Sequence, residues 1–419
     1  MQASSFSVLF ELLYIVVVDK GRYVMETKKY IIIGSGAAGV SAAEEIRKND
    51  SEALIQIISR DTVIPYNRPK LTKSINDLDL CADKIAIHPA DWYREQNIEL
   101  TLDTEIVHID SDKKQVTDRN GRTYTYDRLI LATGASCFVP PIQGSDTEGV
   151  VTIRTIEDVK KIQSALADKQ RVLLIGGGVL GLEAAWGFLQ LKKEVTILEA
   201  MPRLMPRQLD EEASEVLKNL VESKGAAIHT GIKIEKIEKE NDGLHVSTDQ
   251  GMFICDLAVV SAGVRASVSL AKEAGIAVDR SIVIDEKAQT SIPDIYACGD
   301  CAEFQGVNYS LWSQALNEGM AAGRNASGVP YAYANSAAAL TFFGMGTMLY
   351  ALGDIGSDST KIYKLLDMSI PEKSICRRFY FKDDRLCGVI LIGNLTGWKE
   401  LSAMLKTASI EEVRNQFAS

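Results

Sequence analysis

The chain is poor in the residues that mark a metalloprotein or a disulfide scaffold: its 419 residues include four histidines and seven scattered cysteines. His88, His108, His229 and His245 show no ligand spacing with one another, and the cysteines form no dense framework of the small secreted kind. No metal site is expected, and a reducing, cytoplasmic compartment is. Basic runs are missing as well. With a net charge of −10 and a pI near 5.2, the protein lacks the positive footprint that nucleic-acid phosphates require. No short-period repeat or low-complexity tract appears, which excludes a solenoid. The strongest apolar run, Phe6 to Val18, is interrupted by Glu11 and falls short of the ~20 residues that span a bilayer. It also has no basic leader and no small-residue cleavage site. No membrane association is expected, and residues 1–24, just ahead of Met25, are read as an upstream extension or a misassigned start.

What the sequence does have is patterned glycine. From Lys29 an apolar strand runs into Gly34, Gly36 and Gly39, with Ala37 and Ala38 between the last two, then a helix and the apolar run Leu54 to Ile58. From Arg171 the same grammar returns, with Gly176, Gly178 and Gly181 followed by a helix and the strand ending at Glu199. In such a βαβ unit the first glycine permits a tight turn, the second lets backbone approach a pyrophosphate, and the third lets helix pack on strand. The helix N-terminus then holds the anion. Two units imply two nucleotide sites. A carboxylate after the second strand should accept hydrogen bonds from a ribose, and the candidates are Asp61 and Glu199; Glu199 favours NADH, because it repels a 2′-phosphate. Arg203 nearby would soften that preference unless it is a solvated or ion-paired surface group.

The predicted fold is α/β, with two Rossmann-like dinucleotide-binding domains and a small α+β C-terminal domain. Pro140-Pro141 suits a crossover between domains. The first domain is expected to be discontinuous, over 25–142 and 265–335, with the second at 143–264 and the third at 336–419. Cys298 and Cys301 have the spacing of a redox dithiol, but Gly299 and Asp300 lie between them, and buried inert thiols are expected instead.

Five motifs occur in order: Gly34-x-Gly36, Ala132-Thr133-Gly134, the second glycine triple, Gly263-Val264-Arg265 and Cys298-Gly299-Asp300. This order resembles the pyridine-nucleotide disulfide oxidoreductase superfamily. The resemblance implies that Gly299 and Asp300 contact FAD and that the Ala132–Gly134 turn and Gly263 lie near it. Where disulfide reductases carry redox cysteines, this chain has none. Its IPYNRPKLTKS segment is similar to one in NADH-rubredoxin reductases, ferredoxin reductases and the flavin part of nitrite reductases. By that likeness Lys73 sits beside flavin N5 with Glu183 as its ion-pair partner, an arrangement suited to negative charge arriving with a hydride. Arg68 is a candidate FAD contact or a structural salt-bridge former. Trp312 either stacks near the flavin or fills core. Arg377 and Arg378 form a basic spot that would receive an acidic redox protein, unless they are solvated strand charges. The implied function is electron transfer from NADH through FAD to a small redox protein, rubredoxin or ferredoxin-like. An NADH oxidase, a nitrite reductase-like flavin subunit and an NADH sensor are the alternatives.

Overall fold

The computed structural model describes residues 27–417 except 336, 338, 357 and 359, together with a backbone hairpin of Val18–Asp19 and Arg22–Tyr23. The expected extension over 1–24 lies otherwise outside the described residues. The chain has an α/β fold built on two five-stranded parallel sheets.

In the first sheet, β1 (Lys29–Ile33) leads through α1 (Ala37–Asn49) to β2 (Leu54–Ile58). The strand order is Ile295–Ala297, Arg128–Leu131, β1, β2, Ile98–Thr101. Four consecutive residues of β1 and four of β2 are buried, as expected for parallel strands covered on both faces. The second sheet repeats the plan with β3 (Arg171–Ile175), α2 (Val179–Gln190) and β4 (Glu194–Glu199), in the order Val150–Thr152, Leu257–Val260, β3, β4, Ala226–Thr230. Each sheet also has a three-stranded antiparallel meander in the equivalent place, between the strand that follows its βαβ unit (Ile98–Thr101 or Ala226–Thr230) and the strand that returns beside that unit's first strand.

Late in the chain, α3 (Trp312–Ala326) returns to α1. The contact is close because α3 presents glycine: a Cβ on Gly319 would lie 2.3 Å from the Ala38 carbonyl oxygen, and one on Gly323 2.4 Å from that of Ala42. The last sheet is antiparallel, in the order Ala339–Gly344, Thr347–Gly353, Arg385–Ile392, Cys376–Lys382, Lys364–Asp367, followed by short helices. Arg378 ties it to the second parallel sheet's surroundings, bonding Asp210 at 2.5 Å, Asp367 at 2.6 Å and Glu212 at 3.3 Å. This corrects the reading of Arg377 and Arg378 as a basic docking spot. Both are buried, and Arg377 donates to the Phe417 carbonyl at 3.1 Å. Among the described residues no helix is long and apolar enough to cross a membrane, and no cluster of potential metal ligands occurs.

Candidate functional site

The two glycine loops have almost the same geometry. Gly34 and Gly176 adopt φ of +113° and +119°, where only glycine is comfortable, and a Cβ on either would lie 2.1 and 2.3 Å from the carbonyl oxygens of Ala132 and Ser261. A Cβ on Gly39 or Gly181 would meet the carbonyl of Gly34 or Gly176 at 2.1 and 2.2 Å, so these residues let helix press on loop. Gly36 and Gly178 differ: nothing lies within 4 Å of a Cβ built there. The structure therefore demands glycine at the first and third positions and leaves the middle one facing open space. Bare backbone at a helix start with room in front of it fits a dinucleotide pyrophosphate. Ala37 and Ala38 are buried behind it.

The carboxylates behave differently. Glu199 folds back onto its own loop, accepting from the Gly177 N–H at 2.6 Å and the Met201 N–H at 2.7 Å. Arg203 is tied to the carbonyls of Leu209 and Pro206 at 3.3 and 3.5 Å. At the matching position of the first unit stands Ser59, whose hydroxyl accepts from Ser35 at 2.8 Å. Asp61 lies two residues further on and is held by Arg68 at 2.6 Å. Arg68 in turn donates to the Arg154 carbonyl at 2.8 Å and to Tyr66 at 3.0 Å.

On the other side of the first unit, Thr133 donates to the Ser267 carbonyl at 2.8 Å, while Ala135–Cys137 pairs antiparallel with Val264–Ala266. The Ala132–Gly134 turn and the segment after Gly263 are thereby stitched together. Asp300 receives Arg154 at 2.9 Å. Beneath it, the Gly299 N–H donates to the buried Glu318 carboxylate at 2.8 Å, and Tyr333 donates to the same group at 3.2 Å. Burial pushes the Glu318 carboxyl up to about 7, although both bonds pull the other way. Trp312 opens α3 and is half-buried against the first core. Cys298 and Cys301 are fully buried free thiols, raised by burial.

Lys73 and Glu183 come together from segments 110 positions apart (183 − 73). The one-turn helix Lys70–Lys73 sets the lysine over α2, its Nζ 3.3 Å from Glu183, whose other oxygen accepts from Thr72 at 2.6 Å. Gly187 makes this approach possible, because a Cβ there would lie 2.9 Å from that of Ile75. Glu183 is 4% exposed and Lys73 39% exposed. Burial raises the Glu183 carboxyl, and Thr72 and Lys73 oppose that rise. Both side chains line a cleft of about 340 Å³ that also contains Trp186 and Phe343.

Fold and site together define an α/β framework with two glycine loops of the dinucleotide-binding kind. The chain belongs to the pyridine nucleotide-disulphide oxidoreductase family, whose pattern matches residues 28–319. Within that family it resembles rubredoxin- and ferredoxin-reductase-like proteins. It is 33% identical over 395 residues to a nitrite reductase [NAD(P)H] of Bacillus subtilis, covering 93% of this chain and 48% of the relative. A rubredoxin-NAD(+) reductase of Pseudomonas putida is 35% identical over 274 residues, 65% of this chain and 71% of the relative. A ferredoxin reductase structure from Rhodopseudomonas palustris superposes with a TM-score of 0.84 at 25% identity, over 92% of this chain and 96% of that one. The chain thus spans about half the length of the Bacillus nitrite reductase.

Sequence motifs missed Thr72, Arg154, Glu318 and Phe343. Thr72 carried one signal, its place beside Lys73; Arg154 sits in a loop bend, Glu318 on α3 and Phe343 on a strand, and only folding brings them to their partners.

Proposed function

We propose that the chain binds FAD at the first unit and NADH at the second, and passes electrons from NADH to a small iron or iron-sulfur protein such as rubredoxin or a ferredoxin. The observation that carries this reading is the Lys73–Glu183 pair at 3.3 Å, which joins the segment after the first unit to the helix of the second. Bound FAD would supply the conversion of a two-electron hydride into single electrons, which side chains cannot. The chain's own residues hold, orient and polarise. Gly36 and Gly178 leave N–H groups open to the two pyrophosphates, and Gly34, Gly39, Gly176 and Gly181 shape the loops around them. Ala132, Thr133 and Gly134, with Gly263, would wall the FAD site, with Trp312 at its edge. Asp300, oriented by Arg154, would hold the ribityl chain of the flavin. Asp61 and Arg68 serve the adenosine side as a pair. Glu199 accepts from the NADH ribose and disfavours a 2′-phosphate, which the tethered Arg203 does not offset. Lys73 offers positive charge where negative charge develops, and buried Glu183, oriented by Thr72, holds that ammonium in place.

Similarity over 93% of the chain to a nitrite reductase about twice as long favours a second reading, in which the acceptor is a metal centre of a larger nitrite reductase-like system. Anaerobic stopped-flow absorbance tests the first reading. Flavin-loaded protein should bleach rapidly with NADH and reoxidise rapidly with oxidised rubredoxin. Reoxidation by oxygen alone would replace the reductase with an oxidase, and a slow band indifferent to both acceptors would indicate a sensor. Absence of bleaching would end the proposal.

A further inference from the structure

Among the described residues of the C-terminal sheet, Phe343 is the one that lines the cleft of Lys73 and Glu183. Phe343 lies on the edge strand Ala339–Gly344, where it pairs in register with Met348, and both side chains are well exposed, at 43% and 40%. An exposed phenylalanine gains little from burial, yet this ring has a polar neighbour: the Lys73 ammonium lies 5.5 Å from its centroid. That is inside the range of a cation–π contact. The ring also lines two clefts. One contains Lys73 and Glu183; the other, about 370 Å³, contains Trp186, Gly346 and Met348.

We propose that Phe343 is a positioning residue for Lys73, so that the ammonium is held between two separate parts of the chain, Glu183 on α2 and the edge strand of the C-terminal sheet. The inference rests on the reading of Lys73 as the cation that meets developing flavin charge. The physical argument is one of freedom and charge. A lysine that is 39% exposed keeps much of its rotamer freedom, and a single carboxylate contact at 3.3 Å restrains only its tip. An aromatic face attracts the ammonium through its quadrupole without cancelling the charge or accepting a proton. A second carboxylate there would hold Lys73 equally well but neutralise the field it is needed for. Phe343 therefore narrows where the cation sits and leaves its charge available to the cleft.

The test compares the full-length protein with Phe343→Leu and Phe343→Tyr. Brief labelling with acetic anhydride, read by mass spectrometry, gives the reactivity of Lys73 relative to the neighbouring exposed Lys70. Phe343→Leu should raise that ratio about threefold, the size of an exposed cation–π contact, and Phe343→Tyr, which keeps the ring face, should leave it at the wild-type value. In flavin-loaded protein the same leucine variant should slow flavin reduction by a similar factor without changing the apparent affinity for NADH. A labelling ratio unchanged in Phe343→Leu, or raised equally in Phe343→Tyr, would overturn the inference. Because labelling needs neither flavin nor turnover, a wild-type protein whose flavin ignores NADH would defeat the proposed function, and the labelling ratios would still decide whether Phe343 holds Lys73.

Discussion

The two βαβ units agree where backbone meets backbone and differ where a ligand would be met. Gly34 and Gly176 differ in φ by 6° (119 − 113), and Gly39 and Gly181 are equally crowded by the loop carbonyls. Across the strand end, however, Gly177 faces Glu199 in the second unit, and Ser35 faces Ser59 in the first. Helix-on-strand packing therefore fixes the glycines whatever is bound, whereas the group at the strand end is free to follow the ligand. The units also differ in what covers their helices. α1 is covered by α3, and α2 by the 70–75 segment and the C-terminal sheet, which is why the Lys73 pair forms on α2.

The strongest test of this comparison is alanine at the crowded positions. Gly34→Ala and Gly176→Ala each force a Cβ into a carbonyl and an L-residue into positive φ, so each should cost about 4 kcal/mol or prevent folding. Urea unfolding would measure it, and a loss below about 1 kcal/mol in either would break the equivalence of the loops.

A second test contrasts the two buried carboxylates, Glu183 with a cation and Glu318 held by an N–H and a phenol. The folded protein binds a proton on Glu318 up to about pH 7, against an ordinary value near 4.5. Its protonated form is therefore favoured by folding, and this group's penalty is absent below pH 4.5, grows between 4.5 and 7, and stays constant above, reaching about 3 kcal/mol. Glu318→Gln should accordingly be more stable than wild type at pH 8 and nearly equal at pH 4.5. Thermal melts of both proteins across that range would show it, and a difference independent of pH would refute the assignment.

Next come the uncrowded glycines. Gly36→Ala and Gly178→Ala should leave stability within about 0.5 kcal/mol of wild type. The first should weaken FAD retention and the second raise the KM for NADH, each about 30-fold, the effect of losing close backbone approach. Equilibrium dialysis and initial rates separate the two, and crossed effects would reverse the assignment of the units. The smallest effect is expected from Glu199→Ser, which gives the second unit the first unit's strand end. It should raise the KM for NADH about tenfold and narrow the preference over NADPH.

Much of this architecture is legible in the residues. Both glycine triples, the parallel strands that follow them and the Ala132–Gly134 and Gly299–Asp300 turns can be read locally, because each depends on a short segment with a fixed spacing. The Lys73–Glu183 pairing is legible only through family likeness, since 110 positions (183 − 73) separate the two. The ribose partner of the first unit is less legible. Asp61 has the right distance along the chain, but spacing does not reveal that Arg68 holds its carboxylate at 2.6 Å or that Ser59 occupies the register position. Arg378 misleads in another way. In the sequence it resembles a surface charge, and it is buried because Asp210 and Glu212 arrive from about 170 positions away (378 − 210 = 168).

The sequence alone determined the elements and the loops, since a tight turn, an open backbone and a buried parallel strand are demands made within about twenty residues. Only the tertiary structure decided which charges meet: Asp300 with Arg154, Glu318 with Gly299 and Tyr333, Phe343 with Lys73. The first and last of those contacts join separate units, the Glu318 contacts join a turn, a helix and a loop of one unit, and side-chain electrostatics acts over a few ångströms of space, which the distance along the chain does not report.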